Sequence, residues 1–479
     1  MIVKRITTQS TSEGFARALK LFREAAQYVP AYKDFLRKNR IKPEHIKSVL
    51  DFQEVPPIDK ENYISKYSLE ELSWDGTLAD AQYISSSSGS TGVPFYWPRG
   101  HAQDIPSARL YQGIFENVFG TRKGSTLCFN LFALGTWIAG VEFYNATRSS
   151  ADRGNNIIII NPSIEKGAAL DAVKRLMRMF DRLILTGYPP FIKDVLETGS
   201  AEGIRWKTLD VRLITAGEAV SEQWRDYVLN IIGKKGSPSH LINVYGMAEA
   251  GVVAHETPLS ITCRRIVLRE PERCEALVHD GGVSSLYQYD PVIRYFERDA
   301  DGTLLLTSRS GLPLIRYSTR DRGGILSHAM LLQLLKDGGV SRAGKFSAWR
   351  APALYLEDRR DLSISLYALN IYVENIKHAL ECAQDAAAFS GLFTMSVGHT
   401  RNYDQKFEIT LELARARRPS EALRMRVTRH VVRVLSGINS EYAKLYAAIG
   451  ERAAPHITFV GYGEIRTTPG RKHKWITRK

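Results

Sequence analysis

The run Ser85-Ser86-Ser87-Ser88-Gly89-Ser90-Thr91-Gly92, led in by Tyr83-Ile84 and closed by Val93-Pro94, has the residue types that a phosphate cradle needs. Small residues let backbone amides come close to an anion, and the hydroxyls of Ser87, Ser88, Ser90 and Thr91 add donors. The Gly-Lys-Ser/Thr ending of a Walker loop is missing, so a nucleoside triphosphate would be wrapped in another way. A flexible Ser/Gly linker has the same composition. The segment alone fits either, and residues downstream must separate the two. A metal site from His255, Cys263 and Cys274 is a weaker candidate, because their spacing matches no common ligand pattern.

Such residues need a scaffold. Residues 156–160, an Asn followed by four isoleucines, read as a buried strand, and 182–187, 211–215 and 241–244 read as three more. Helical patterns at 166–181, 190–198 and 222–232 lie between them. The alternation implies a largely parallel sheet covered by helices, and in such sheets ligands bind beyond the carboxyl ends of the strands. The residues to watch are therefore Thr186-Gly187-Tyr188, Thr215-Ala216-Gly217-Glu218 and Tyr245-Gly246-Met247-Ala248-Glu249.

Ahead of the sheet, Phe15, Leu19, Phe22 and Ala26 share one helical face, Pro30 marks a break, and 41–59 is a connector with turns at Pro43 and Pro56-Pro57. Residues 286–306 are β-rich, with Asp301-Gly302 as a hairpin turn. From about 358 the pattern is strand, helix (373–381), two strands (391–398 and 406–413), helix (420–436) and strand (456–460). The expected fold class is α/β: a large N-terminal domain, 1–357, with mainly parallel helix-covered sheet and a β-rich subdomain, then a small α+β domain, 358–479.

The composition of the 479 residues, 44% hydrophobic and 24% charged, is that of a globular protein and excludes extended disorder. Lys and Arg number 65 against 51 Asp and Glu, a net +14 that favours anionic partners such as nucleotides, coenzyme A or an acidic carrier protein. The basic end 466–479 accompanies no nucleic-acid motif, so no nucleic-acid partner is expected. Four dispersed cysteines argue against a disulfide scaffold and a zinc ribbon. The apolar stretch 127–141 is broken by Asn130, Gly135 and Thr136, too short and polar to span a bilayer. With no signal-like start, the expectation is a cytoplasmic protein without a membrane partner.

Five segments in a fixed order resemble the adenylate-forming enzymes, the group of acyl-CoA synthetases and peptide-synthetase adenylation domains. Ser87 to Pro94 looks like their phosphate loop, and Tyr245-Gly246-Met247-Ala248-Glu249 is similar to their Tyr-Gly-x-Thr-Glu. Pro313-Leu314-Ile315-Arg316-Tyr317-Ser318-Thr319-Arg320-Asp321 resembles Pro-Leu-Ile-Arg-Tyr-x-Thr-Gly-Asp, and Arg359-Arg360-Asp361 resembles the hinge Arg-x-Asp. Thr468-Pro469-Gly470-Arg471-Lys472 looks like the C-terminal Gly-Lys motif. The phenylacetate–CoA ligase branch is the best match: Val29-Pro30-Ala31-Tyr32 and the segment from Ile46 to Lys60 resemble its N-terminal helix and linker, and Phe95 stands where other branches place a Lys after Pro. The resemblance spans about residues 28 to 475, which favours the phosphate-loop reading of the Ser/Gly segment over the linker.

The resemblance implies ATP-dependent activation of a carboxylic acid, aryl or acyl, to an acyl-adenylate, with transfer to the thiol of CoA. A carrier-protein thiol or an amine is the alternative acceptor. It implies ATP and Mg²⁺ as cofactors, with Glu249 as metal ligand, Asp321 on the ribose hydroxyls and Arg359 at the phosphates or ribose. Ser87, Ser88, Gly89, Ser90, Thr91, Gly92, Gly217, Glu218, Tyr245, Gly246, Met247 and Ala248 would complete the nucleotide site, and Phe132, Trp137, Tyr188, Ala216 and Met247 the acyl pocket. Lys472 is the implied catalytic cation, with Arg471 the other register; Asp361 is the hinge of a mobile small domain. Ala248, Arg320 and Ala368 depart from the Thr, Gly and Gly of the pattern, which keeps a nucleotide-binding pseudoenzyme as a third reading. Glu142 is the only acid near the apolar stretch that could pair a substrate ammonium, which disfavours a free amino acid. A homodimer is left open.

Overall fold

The short apolar runs between residues 126 and 247 become neighbouring strands of one sheet. The computed structural model describes residues 12–86, 95–279, 282–340, 349–357, 363–367, 369–414, 417–465 and 475–477. They fall into two units: Met1–Ser86 with Tyr96–Gly187 and Ile192–Asp358, and Ser87–Phe95 with Tyr188–Phe191 and Arg359–Lys479.

In the first unit, β1 (Tyr83–Ser86) and β2 (Tyr96–Arg99) pair antiparallel, Tyr83 opposite Arg99. Then β3 (Thr126–Asn130), β4 (Ile157–Ile160), β5 (Arg182–Gly187), β6 (Val211–Ala216) and β7 (Leu241–Met247) run parallel, side by side in the order β4-β3-β5-β6-β7. Their β-branched and leucine side chains are buried on both faces, as parallel strands under helices require. The exception is β4. It is the edge strand and leaves Ile158 58% exposed, which corrects the expectation of a buried strand. Four consecutive isoleucines read alike at an edge and in the interior.

At β7 the direction reverses. β8 (Gly251–His255) folds back antiparallel on it, with an irregularity in register between Tyr245 and Gly246. After the short hairpin β9 (Val278–His279) and β10 (Gly282–Val283), the sheet is extended by β11 (Ser285–Gln288), β12 (Tyr295–Arg298), β13 (Thr303–Ser308), β14 (Leu314–Leu326) and β15 (Ala353–Leu356). Among the described residues this makes eleven strands, ordered β12-β13-β14-β15-β11-β8-β7-β6-β5-β3-β4. The expected hairpin at Asp301-Gly302 joins β12 and β13, Gly302 taking φ +85°.

The second unit holds the hairpin β16 (Ser363–Leu366) and β17 (Leu369–Tyr372), the helix Val373–Glu381, and a three-stranded sheet of β18 (Phe389–His399), β19 (Gln405–Leu413) and β20 (His456–Val460). Helices Glu421–Ile438 and Ser440–Ile449 complete it around its own core of Ile371, Ile376, Phe393, Ile409, Val431 and Leu435. The helix Ser440–Ile449 went unread in the sequence. Its N-cap Asn439, whose side chain accepts from the Tyr442 amide, follows the preceding helix without a loop. Among the described residues no helix is long and apolar enough to cross a membrane.

Candidate active site

The strand β7 runs three residues further than its apolar pattern, so Tyr245, Gly246 and Met247 stand in the sheet rather than after it. From there the Tyr245 hydroxyl donates to Oδ2 of Asp321 on β14 at 2.5 Å, joining residues that are 76 apart in sequence. Asp321 is buried, and its amide donates to the Thr319 hydroxyl at 3.1 Å. The preceding residue, Arg320, takes φ 62°, the left-handed conformation for which the resembling motif uses Gly. Its guanidinium lies 2.9 Å from the Glu61 carboxylate.

Behind Tyr245, the ring of Tyr287 lies 5.8 Å away, centroid to centroid, and its hydroxyl donates to Oδ1 of Asn243 at 2.8 Å. The Asn243 amide in turn donates to the Thr215 hydroxyl and the Glu218 carbonyl, both at 2.9 Å. One carboxamide thus ties the ends of β6 and β7 together, with Gly217 at φ +92° in between. Gly217, Glu218, Tyr245 and Asp321 are brought into one neighbourhood.

Glu249 follows β7 and is 7% exposed. Its Oε1 lies 2.6 Å from Nζ of Lys60 and accepts from the Tyr317 hydroxyl at 3.2 Å. Burial alone would push this carboxyl up, but the Lys60 charge, the hydrogen bond from its ammonium and that from Tyr317 outweigh it, and the group titrates below its ordinary value. Burial, reinforced by the carboxylate, holds Tyr317 well above the usual phenol value.

The turn carrying Glu249 is clamped from below by charges of both signs. The buried Arg99 guanidinium donates to the carbonyls of Ala248 and Glu249 and, through Nε, to the Ser85 hydroxyl at 2.9 Å. The Ser310 hydroxyl also donates to the Glu249 carbonyl, at 3.2 Å. Buried Glu142 accepts the Val252 amide on both oxygens at 3.1 Å and the Ser107 hydroxyl at 2.5 Å. Burial raises the Glu142 carboxyl, although Ser107, Arg99 and Arg294 pull the other way. Gly251 makes this approach feasible: it has φ +71°, and a Cβ there would sit 2.0 Å from Glu142 Oε1.

Of the acyl-pocket candidates, Phe132 is fully buried, its ring 6.0 Å from that of Phe143, so it stands in the core. Trp137 is half-buried at the N-cap of the helix Ile138–Asp152, Ala216 ends β6, Met247 ends β7, and Tyr188 follows β5 and groups with the second unit. Ser87, Ser88, Gly89, Ser90, Thr91, Gly92, Arg359, Asp361, Ala368, Arg471 and Lys472 lie outside the described residues.

Sequence reasoning passed over Lys60, Arg99, Tyr317 and Asn243 as functional residues. Lys60 carried one usable signal, a cation directly after the connector that ends in Pro56-Pro57-Ile58-Asp59. Among the described residues no cluster of three or more His, Cys, Asp or Glu forms a metal cage. A single buried carboxylate with a hard oxygen fits a Mg²⁺ that takes its remaining ligands from phosphate and water.

No protein-family profile matches the chain, and no curated protein matches it in sequence. In structure it is similar to 2-hydroxyisobutyryl-CoA ligase. For the crystal structure with 2-HIB-AMP and CoA in the thioesterification state, the TM-score is 0.66 at 16% identity, covering 100% of this chain and 91% of that one. An open conformation of the same ligase gives 0.54 at 16% identity over 97% and 90%, and a postadenylation state with 2-HIB-AMP gives 0.55 at 16% over 99% and 92%. The fold is that of the adenylate-forming acyl-CoA ligases.

Proposed function

We propose that this chain is an ATP- and Mg²⁺-dependent acid–thiol ligase, similar to the phenylacetate–CoA ligase branch, that activates an aryl or acyl carboxylic acid and passes it to the thiol of CoA. The observation that carries the reading is the meeting of Tyr245 and Asp321 at 2.5 Å beside a turn whose Glu249 is buried and ionised. Asp321 offers two oxygens to vicinal ribose hydroxyls, and Tyr245 fixes that carboxylate while flanking the base. Glu249 would hold the metal, which when bound would supply positive charge beside the phosphates.

In the first step the acid's carboxylate oxygen bonds to the α-phosphorus and pyrophosphate leaves; in the second a thiolate attacks the acyl carbon and AMP leaves. Lys472 is the residue proposed to neutralise charge in the first step, and Asp361 the pivot between the two. Glu142 is buried and engaged by Ser107 and Val252, which weighs against its pairing a substrate ammonium.

ATP–pyrophosphate exchange over a panel of carboxylic acids tests the reading. Exchange dependent on an acid, followed by thioester when CoA is added, is the expected result, with Glu249→Gln lowering exchange by roughly 100-fold. Nucleotide binding without exchange for any acid would overturn it.

A further inference from the structure

Lys60 is the carboxylate's own cation, since Arg99 and Ser310 bond the backbone oxygen of Glu249 instead. We propose that Lys60 is the resident counter-ion of Glu249 and that loading this acid with a divalent cation is an exchange, ammonium off and metal on. The inference rests on reading Glu249 as the metal ligand.

Three observations carry it. First, burial penalises the charged form of this carboxylate, and the ammonium at 2.6 Å offsets that penalty. Second, the backbone delivers Lys60 to that place. Ile58 bridges to Tyr317, its carbonyl accepting the Ser318 amide at 2.9 Å, so the strand residue that bonds Glu249 also anchors the segment bearing the lysine. Asp59 Oδ1 caps the turn by accepting the amides of Glu61 and Asn62, both at 2.7 Å, and Glu61 pairs with Arg320. Third, the two partners differ in freedom. The Glu249 side chain is 9% exposed, whereas that of Lys60 is 40% exposed on a flexible stem, so the ammonium can leave into water while the carboxylate stays.

The consequence is that a bare divalent cation must compete with a tethered ammonium for Oε1. One that arrives with a polyphosphate brings anions to receive the displaced charge. Metal and nucleotide binding are thereby coupled, and Lys60 acts as a positioning residue for the metal.

The test measures Mn²⁺ binding to the full chain by calorimetry and electron paramagnetic resonance, without nucleotide and then with a non-hydrolysable ATP analogue. Lys60→Met should bind Mn²⁺ about tenfold more tightly than wild type when nucleotide is absent. Lys60→Arg should behave as wild type, and Glu249→Gln added to Lys60→Met should abolish the gain. Lys60→Gln replaces Lys60→Met if the latter does not fold. Equal Mn²⁺ affinity in wild type and the neutral variant, or a gain that survives Glu249→Gln, overturns the proposal. Pyrophosphate exchange by the wild type reports separately on the ligase reading: a protein that exchanges but shows equal Mn²⁺ affinities loses only the role of Lys60.

Discussion

A carboxylate buried like Glu249 would ordinarily resist ionisation, and here a neighbour reverses the sign. Because the folded state holds this group below its usual value, the ion pair with Lys60 stabilises fully above the unfolded-state value of about 4.3 and is lost as pH falls through the lower folded value. Wild type is therefore expected to exceed Glu249→Gln in stability by about 1–2 kcal/mol at pH 7, the margin closing below pH 4. Urea titrations at both pH values check this, and an unchanged margin at pH 3.5 contradicts it. Asp321 yields a kinetic prediction. Asp321→Asn keeps one acceptor but loses the charge, so KM for ATP should rise about 10-fold to 100-fold while KM for the acid stays put. Tyr245, Glu249 and Asp321 were singled out in the sequence because each sits in a motif that resembles one of the adenylate-forming enzymes, and the structure sets Tyr245 against Asp321. Lys60 and Arg99 were not, because their contacts with Glu249 lie 150 or more positions away in sequence.

The turn between β7 and β8 is the element on which these side chains depend. Gly251 joins two demands, a left-handed backbone at φ +71° and room for the Glu142 carboxylate. Gly251→Ala should cost about 2–4 kcal/mol, part from backbone strain and part from pushing Glu142 off the Val252 amide. Gly203→Ala is the control: it has φ +87° with nothing within 4 Å, so only the backbone cost of about 1 kcal/mol applies. Equal urea midpoints for the two variants would show that the clamp does not hold the turn. Strand existence was read well from β-branched runs such as Val211 to Thr215, since burial on both faces leaves few polar residues. Strand ends were read less well: β7 continues through Tyr245 and Gly246, whose half-buried and exposed positions follow from pairing with β8 rather than from their own hydropathy.

At the scale of the molecule, the sequence suggests a separate segment from about 358, and among the described residues the C-terminal unit has a core cluster of its own. Leu366, Ile371, Ile376 and Leu435 are each buried within that unit, and Leu213, Ile242 and Val244 within the other. We propose that each unit melts on its own core. Leu435 has no exposed surface, so Leu435→Ala removes buried methyl groups and leaves a cavity, at a cost of about 2–5 kcal/mol. That cost should fall on one unit alone, because energy lost from one core reaches another only through a shared transition. Calorimetry of the full chain should then show two transitions, with Leu435→Ala lowering one and leaving the other in place. Gly251→Ala should do the reverse, since its clamp belongs to the large unit. If both variants shift the same single transition by amounts set only by their cost, the units fold as one cooperative body and the division is geometric rather than energetic.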